Sequence, residues 1–175
     1  MLEVREKYPY NIHSLCLMTN HFHLALETKQ TELSKIMQLL LSIYAENYNK
    51  RHDCTGHLFE GRYTACLIED ERYFVEVTRY IHLNPVKAQM VLGPLDYAYS
   101  SYGLFVPGKT DKSRSAKGNK CKKLIRDLVE TDRVLNCFGP DRKEQYRMFV
   151  EGTSSHTEQE QQIQREMKED DLWLP

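Results

Sequence analysis

The stretch Thr19-Asn20-His21-Phe22-His23-Leu24-Ala25-Leu26 decides how we expect this chain to fold. Its alternation of polar and apolar residues is typical of a β-strand with one face against a core. His21 and His23 would then point to one face, and the apolar residues around them to the other. Two imidazoles about 7 Å apart on one strand face can bind the same divalent metal ion. The alternative for either histidine is a simple hydrogen bond to a neighbour.

The flanking sequence predicts a hairpin packed against helices. Residues 12–18 read as the preceding strand, with a tight turn at Thr19-Asn20. A helix follows from about Thr31 to Asn49, because its apolar residues recur at helical spacing. The remaining predicted elements are a strand at 64–68, a helix from Glu69-Asp70-Glu71 that Pro85 ends or kinks, and helices at 122–129 and 142–151.

Composition indicates one domain with a modest appendage. The chain has 175 residues, 41% of them hydrophobic, and a net charge of −1. No apolar run is long enough to cross a membrane, and the charged N-terminus does not resemble a secretion signal. Five cysteines without a Cys-x-x-Cys pair suit reduced thiols. We therefore expect a cytoplasmic protein.

Charge is distributed unevenly toward the C-terminus. Between Lys109 and Arg126 there are eight basic residues and one acid, whereas the last 25 residues carry seven acids. Such a basic segment is either a solvated linker or a strip that contacts phosphates. We predict a main domain over 1–106, a basic flexible loop over 107–120, a helical extension over 121–152 and an acidic, disordered tail over 153–175.

Tyr80 and Asn84 are the further candidates for chemistry. They lie four residues apart, so they share one face of a continuous helix. A tyrosine beside a metal-bound phosphate can attack phosphorus and form a phosphotyrosine. An asparagine oxygen can complete a site for Mg²⁺ or Mn²⁺ after two histidines. The alternatives are a core aromatic for Tyr80 and a helix N-cap for Asn84.

Three blocks of sequence occur in a recognisable order and spacing: Leu17-Met18-Thr19-Asn20-His21-Phe22-His23-Leu24, Thr55-Gly56-His57-Leu58-Phe59-Glu60-Gly61-Arg62-Tyr63 and Arg79-Tyr80-Ile81-His82-Leu83-Asn84-Pro85-Val86-Lys87-Ala88. Together they resemble the REP-associated tyrosine transposases, relatives of the insertion-sequence single-tyrosine transposases in the HUH endonuclease superfamily. The resemblance covers residues 2–102, and two later segments resemble the helical extension of that family.

The resemblance implies an α+β fold with a ferredoxin-like antiparallel sheet and helices packed on it. Family members begin with a strand and most of a helix before the position of Leu2. We therefore expect this chain to lack both and to leave a sheet edge exposed.

The resemblance also implies roles for individual residues. His21 and His23 would bind the metal, Tyr80 would be the nucleophile and Asn84 would be a third ligand. The implied reaction is cleavage of single-stranded DNA beside short hairpins, giving a 5′-phosphotyrosine and a free 3′-hydroxyl. The relatives act as monomers or homodimers.

Basic residues in or near these blocks are candidate phosphate contacts, with solvated surface charge as the alternative: Lys50, Arg51, Arg62, Arg79 and Lys87. Two other functions remain open. A truncated relative could bind hairpin or single-stranded DNA without cleaving it. An unrelated metallohydrolase is less favoured, because such enzymes need further histidines and carboxylates that this motif does not supply.

Overall fold

The structure is a computed structural model that describes residues 1–107, 116–152, 161–163 and 165. The elements of this part of the chain are, in order, α1 (Leu2–Lys7), β1 (Tyr10–Leu17), β2 (Phe22–Thr28), α2 (Leu33–His52), α3 (Glu71–Lys87), a 3-10 turn (Pro94–Asp96), α4 (Tyr102–Phe105), α5 (Ala116–Leu128), α6 (Asp132–Leu135) and α7 (Arg142–Glu151). The predicted α+β class is confirmed. No helix within the described residues is long and apolar enough to span a membrane.

The hairpin forms where the sequence predicts it. Strands β1 and β2 pair antiparallel, from Leu17 opposite Phe22 to Tyr10 opposite Thr28. The turn closes with a hydrogen bond from the Met18 N–H to the His21 carbonyl. Near its other end the register shifts at His13, which forms a β-bulge. A bulge bends the strand and redirects the side chain of the extra residue.

The two edges of this hairpin differ. The outer edge of β1 exchanges backbone hydrogen bonds with residues 99–101 and with Glu130. No strand in the described residues pairs with the outer edge of β2. That edge instead borders a cleft of about 560 Å³, lined by residues 21–28 from both faces of β2 and by residues 63–68. The half-buried Phe22, which we expected to face a core, also lines this cleft.

The predicted strand over residues 64–68 is therefore wrong. This segment has no strand assignment, although it lines the cleft opposite β2. A strand exists only as one member of a hydrogen-bonded pair, and no strand of the described residues pairs with this segment. The expectation that a strand and most of a helix belong before Leu2 stays a prediction.

Helix α3 positions the candidate nucleophile. It begins where Asp70 Oδ1 accepts a hydrogen bond from the Tyr73 N–H at 2.7 Å, which confirms the predicted start. The helix continues through Pro85 to Lys87, so Pro85 does not end it and Asn84 is not an N-cap. Proline lacks an N–H and so removes one backbone hydrogen bond, and only two helical residues follow Pro85 in α3. The side chain of Pro85 is buried.

The predicted helical extension belongs to the same core as the hairpin. Buried residues from α5, α6 and α7 join one hydrophobic cluster with those of β1 and α3. Helix α5 begins at Ala116, six residues before the predicted start at Lys122; Gly118 and Asn119 are poor helix formers and hid this first turn.

Two predicted segments fall partly outside the described residues. Of the predicted loop over 107–120, residues 108–115 lie outside them. Most of the predicted disordered tail over 153–175 also lies outside. The described tail residues 161–163 and 165 are helical, and Ile163 is buried against the cleft.

Candidate active site on the hairpin and helix α3

The histidine pair, His21 and His23, converges at the turn end of the hairpin. The two Nε2 atoms are 3.1 Å apart, and the rings meet edge to face with centroids 4.8 Å apart. The Nδ1 of His21 lies 2.8 Å from Oδ1 of Asn20. If Nδ1 donates there, the lone pair of His21 is on Nε2, facing His23. Asn20 thus orients one member of the pair.

Burial keeps His23 neutral. The pKa of His23 is lowered to about 4, chiefly because the ring is buried away from water and secondly because of the nearby charge of His21. A neutral imidazole offers a lone pair to a metal ion without first losing a proton.

The donor set of the pair fits a divalent ion. Two imidazole nitrogens bound to one ion at about 2.1 Å and at a right angle would be about 3.0 Å apart. The observed Nε2–Nε2 distance of 3.1 Å is close to this value. Within the described part of the chain, no cluster of three histidine, cysteine or carboxylate side chains is present. Further ligands would therefore be an amide oxygen, water or substrate.

Tyr80 lies directly beside the histidine pair. Its ring meets that of His23 edge to face, with centroids 5.7 Å apart, and the residue is 8% exposed. Helix α3 thus brings the predicted nucleophile to the predicted metal ligands, which are more than 50 residues away in sequence. The phenol of Tyr80 and the imidazole of His23 are both buried, whereas His21 beside them is half-buried.

Asn84 and Lys87 lie on the same side of α3 as Tyr80. The Asn84 Nδ2 donates a hydrogen bond to the Tyr80 carbonyl at 2.8 Å, so the amide oxygen is the atom left to act as a ligand. The Lys87 ammonium lies 4.8 Å from the centroid of the Tyr80 ring. A cation at this position favours a negatively charged phenolate or phosphate.

The remaining predicted phosphate contacts are not equivalent. Lys50, Arg51 and Arg62 are exposed on the last turn of α2 and the loop that follows it. Arg79 is 4% exposed; it pairs with Glu76 at 3.6 Å and lies over the Phe149 ring. Its guanidinium is therefore enclosed between α3 and α7 and is not exposed as a phosphate contact would be.

His82, two residues after Tyr80, faces the opposite side of α3. Its Nδ1 lies 2.7 Å from the Tyr146 hydroxyl and its Nε2 lies 2.7 Å from the Ser101 hydroxyl. Burial lowers the pKa of His82 to about 3, so the ring is neutral.

The neighbours of His82 fix the direction of these hydrogen bonds. Ser101 accepts from the Leu15 N–H, and Tyr146 donates to Thr78, whose own hydroxyl donates to the Val75 carbonyl. Each hydroxyl of this hydrogen-bond chain then donates one hydrogen bond if His82 carries its proton on Nδ1. This directed chain links β1, α3 and α7 through fully satisfied buried groups.

A second polar cluster lies at the other end of the cleft and was missed by the sequence reasoning. The bulge residue His13 has Nε2 at 2.8 Å from Glu27, which also pairs with Lys29 and Arg133. Hydrogen bonding, first from His13, lowers the pKa of Glu27 to about 2. Strict alternation along β1 could not reveal this contact, because the bulge interrupts it.

Comparison with known proteins agrees with the geometry. Residues 1–84 match the model of a family described as IS200-like transposases. The matched range contains the histidine pair and Tyr80, and it ends at Asn84. No curated protein and no solved structure matches the chain. The family match confirms the resemblance to insertion-sequence and REP-type single-tyrosine transposases drawn from the three sequence blocks. Residues 1–84, just under half of this chain, are thus similar to the IS200-like transposase family.

Proposed function

We propose that this protein cleaves single-stranded DNA beside hairpins through a covalent bond between Tyr80 and a 5′-phosphate. The match of residues 1–84 to a transposase family supports DNA processing as the general activity. The observation that carries the finer proposal is the edge-to-face contact between Tyr80 and His23, with His21 3.1 Å from His23. A nucleophile and two imidazoles that meet at one point are the parts that such a reaction needs.

The proposed step is a transesterification at phosphorus. The Tyr80 oxygen loses its proton and attacks the phosphorus of a phosphodiester. The bond from phosphorus to the 3′-oxygen breaks, and that oxygen leaves as a 3′-hydroxyl after taking up a proton. The product strand remains attached through a 5′-phosphotyrosine, which a second 3′-hydroxyl can attack in the reverse reaction.

The side chains around Tyr80 have different roles in this proposed reaction. His21 and His23 would hold Mg²⁺ or Mn²⁺, with the Asn84 amide oxygen as a third ligand. When bound, the ion would polarise the scissile phosphate as a Lewis acid. Lys87 stabilises negative charge on the Tyr80 oxygen and the phosphate from the ring side. Asn20 holds the His21 ring in the orientation that directs Nε2 at the site.

The test is formation of a denaturant-resistant adduct. The full chain would be incubated with Mn²⁺ and a labelled panel of single-stranded hairpin oligonucleotides, then separated on a denaturing gel. We expect an adduct with the wild-type chain and none with Tyr80→Phe or His21→Ala. Tyr8→Phe is the matched control, because Tyr8 lies at the end of α1, outside the cleft, and should leave the adduct unchanged.

The same experiment tests the alternative function. Hairpin binding without any adduct, unaltered in Tyr80→Phe, would support a relative that binds DNA but does not cleave it. The outer edge of β2 is the observation that favours this second function, because among the described residues the strand that carries His23 has a partner strand on only one side. An adduct that persists in Tyr80→Phe would refute the assignment of the nucleophile.

A further inference from the structure

We propose that a row of aromatic side chains on the last turns of α2 and the loop after it binds single-stranded DNA by stacking on unpaired bases. We call the row the aromatic ladder; its members are Tyr44, Tyr48, His52 and Phe59. The choice of single-stranded DNA as the ligand rests on the proposed function. The surface proposed here is separate from the histidine pair and Tyr80.

The ladder follows from helical spacing. Tyr44, Tyr48 and His52 are four residues apart, so they lie one above another on a single face of α2. The rings of Tyr44 and Tyr48 have centroids 6.3 Å apart, and those of Tyr48 and His52 stack at 4.3 Å. The loop after α2 returns and places Phe59 at 6.0 Å from Tyr44. Four rings thus form one continuous aromatic surface.

This surface is open to solvent. Tyr44 is 50% exposed, His52 is exposed, and Tyr48 and Phe59 are half-buried. Further back along α2, Ile36, Met37 and Leu40 are buried in the core. The helix therefore contributes to the core with its first half and presents aromatic rings to solvent with its second half. Such rings offer flat faces on which bases of any identity can stack.

Positive charge accompanies the ladder. Arg51 lies three residues after Tyr48 and seven after Tyr44, so it shares their face of the helix. Within the residues that the structure describes, neither Arg51 nor Lys50 forms an ion pair with a carboxylate. The acidic Glu46 lies two residues before Tyr48 and so faces away. An aromatic surface beside unpaired cations matches a polyanion with exposed bases better than an apolar protein partner.

Phe59 connects the ladder to the candidate active site. It contacts Tyr44 on one side, and it also lines the cleft that contains His21 and His23. Tyr63, a few residues later, lines the same cleft. A strand that stacks on the ladder can therefore continue over Phe59 into this cleft. The ladder would hold the unpaired DNA that flanks the scissile phosphate.

The test compares a strand with bases to one without. The affinity of the full chain would be measured by fluorescence anisotropy for a labelled oligothymidine and for an abasic strand of equal length, at fixed salt. We expect Tyr48→Leu to weaken oligothymidine binding about five- to one-hundredfold and to leave abasic binding unchanged. Tyr48→Phe should restore wild-type affinity, because it retains the ring.

Two further variants separate stacking from charge. Arg51→Gln should weaken the binding of both strands and reduce the salt slope by about one. Tyr8→Leu is the matched control, since Tyr8 is a half-buried tyrosine beside Lys7 that lies outside the ladder and the cleft. Unchanged oligothymidine affinity in Tyr48→Leu, or an equal loss in Tyr8→Leu, would overturn the proposal.

A crosslinking measurement on the wild-type chain tests the same surface without depending on whether a variant folds. An oligonucleotide that carries 5-iododeoxyuridine would be irradiated with the wild-type protein and the crosslinked peptide mapped. Crosslinks at Tyr44, Tyr48 or Phe59 are expected, and crosslinks found only elsewhere would overturn the proposal. A change of elution volume in Tyr44→Leu without any loss of DNA affinity would likewise overturn it and assign the ladder to self-association.

The adduct assay keeps this proposal distinct from the proposed function. An adduct on Tyr80 with no effect of Tyr48→Leu on binding would refute the ladder alone. Base-dependent binding through Tyr48 without any adduct would support the ladder and refute cleavage by Tyr80.

Discussion

The two sides of helix α3 use the same residue types for different purposes. On one side, Tyr80 meets His23, whose Nε2 faces the Nε2 of His21 at a distance of 3.1 Å that would suit two ligands of one ion. On the other side, His82 and Tyr146 also bring an imidazole and a phenol together, but both ring nitrogens of His82 have protein partners. A histidine beside a tyrosine therefore indicates chemistry only when one of its ring nitrogens faces another potential metal ligand, and not when both nitrogens face hydroxyl groups of the core.

The largest expected effect concerns the structural side. His82→Phe removes the centre of the buried hydrogen-bond chain and leaves the hydroxyls of Ser101 and Tyr146 each short of one partner. We expect the free energy of unfolding to fall by about 2 kcal/mol and the melting temperature by about 4 to 8 °C. Thermal denaturation followed by circular dichroism measures this.

The adduct assay on the same variant would sharpen the comparison. Below its melting temperature, the folded fraction of His82→Phe should form as much adduct as the wild-type chain. A variant that melts normally but forms no adduct would contradict the division of α3 into a chemical and a structural side.

The next effect concerns the chemical side. Asn20→Ala removes the acceptor for His21 Nδ1, so the His21 ring is no longer held in one orientation. We expect the affinity for Mn²⁺ to fall about 10- to 100-fold, the usual consequence of losing a partner behind a metal-binding histidine. Isothermal titration calorimetry measures this directly, and Asn47→Ala on the surface of α2 is the control. Equal affinities for wild type and Asn20→Ala would show that Asn20 does not orient the pair.

The smallest effect concerns a third buried histidine, His13, whose partner is the carboxylate of Glu27. The pKa of Glu27 is about 2 in the folded protein, below its ordinary value of 4.5, chiefly because His13 hydrogen-bonds to it. A lowered carboxyl pKa contributes stability that is present above about pH 4.5 and is lost as the pH falls toward 2.

Glu27→Gln should therefore melt a few degrees below the wild type at neutral pH. The gap should narrow as the pH is lowered from 5 toward 3, because the wild-type carboxylate loses its advantage over the amide. Melting curves of both proteins across this range give the measurement. A gap that stays constant with pH would mean that the charge on Glu27 contributes nothing.

The sequence-based predictions that are confirmed depend on the spacing of residues close together in the chain. The hairpin around His21 and His23 and the start of α3 at Asp70 depend on alternation and capping, which act over a few residues. The predictions that the structure corrects depend on distant partners. Residues 64–68 have the composition of a strand, but no strand of the described residues pairs with them, and α3 continues for two residues past Pro85.

The exposure of the predicted basic residues could not be derived from nearby sequence either. Arg79 and Arg62 both lie in family-like blocks, yet Arg79 is enclosed by Glu76 and Phe149 whereas Arg62 is exposed. Burial depends on which helix packs against which, and α7 is more than 60 residues away in the chain. Nothing near Arg79 in the sequence indicates that contact.

By itself, the sequence determined the hairpin, the convergence of His21 and His23, and the helical face shared by Tyr80 and Asn84, because backbone periodicity sets these relations between near neighbours. Only the tertiary structure decided that Tyr80 meets His23, that His82 is consumed in a buried hydrogen-bond chain, and that the ladder on α2 reaches the cleft through Phe59. Those contacts join segments far apart in the chain, so they exist only after the core has brought the elements together.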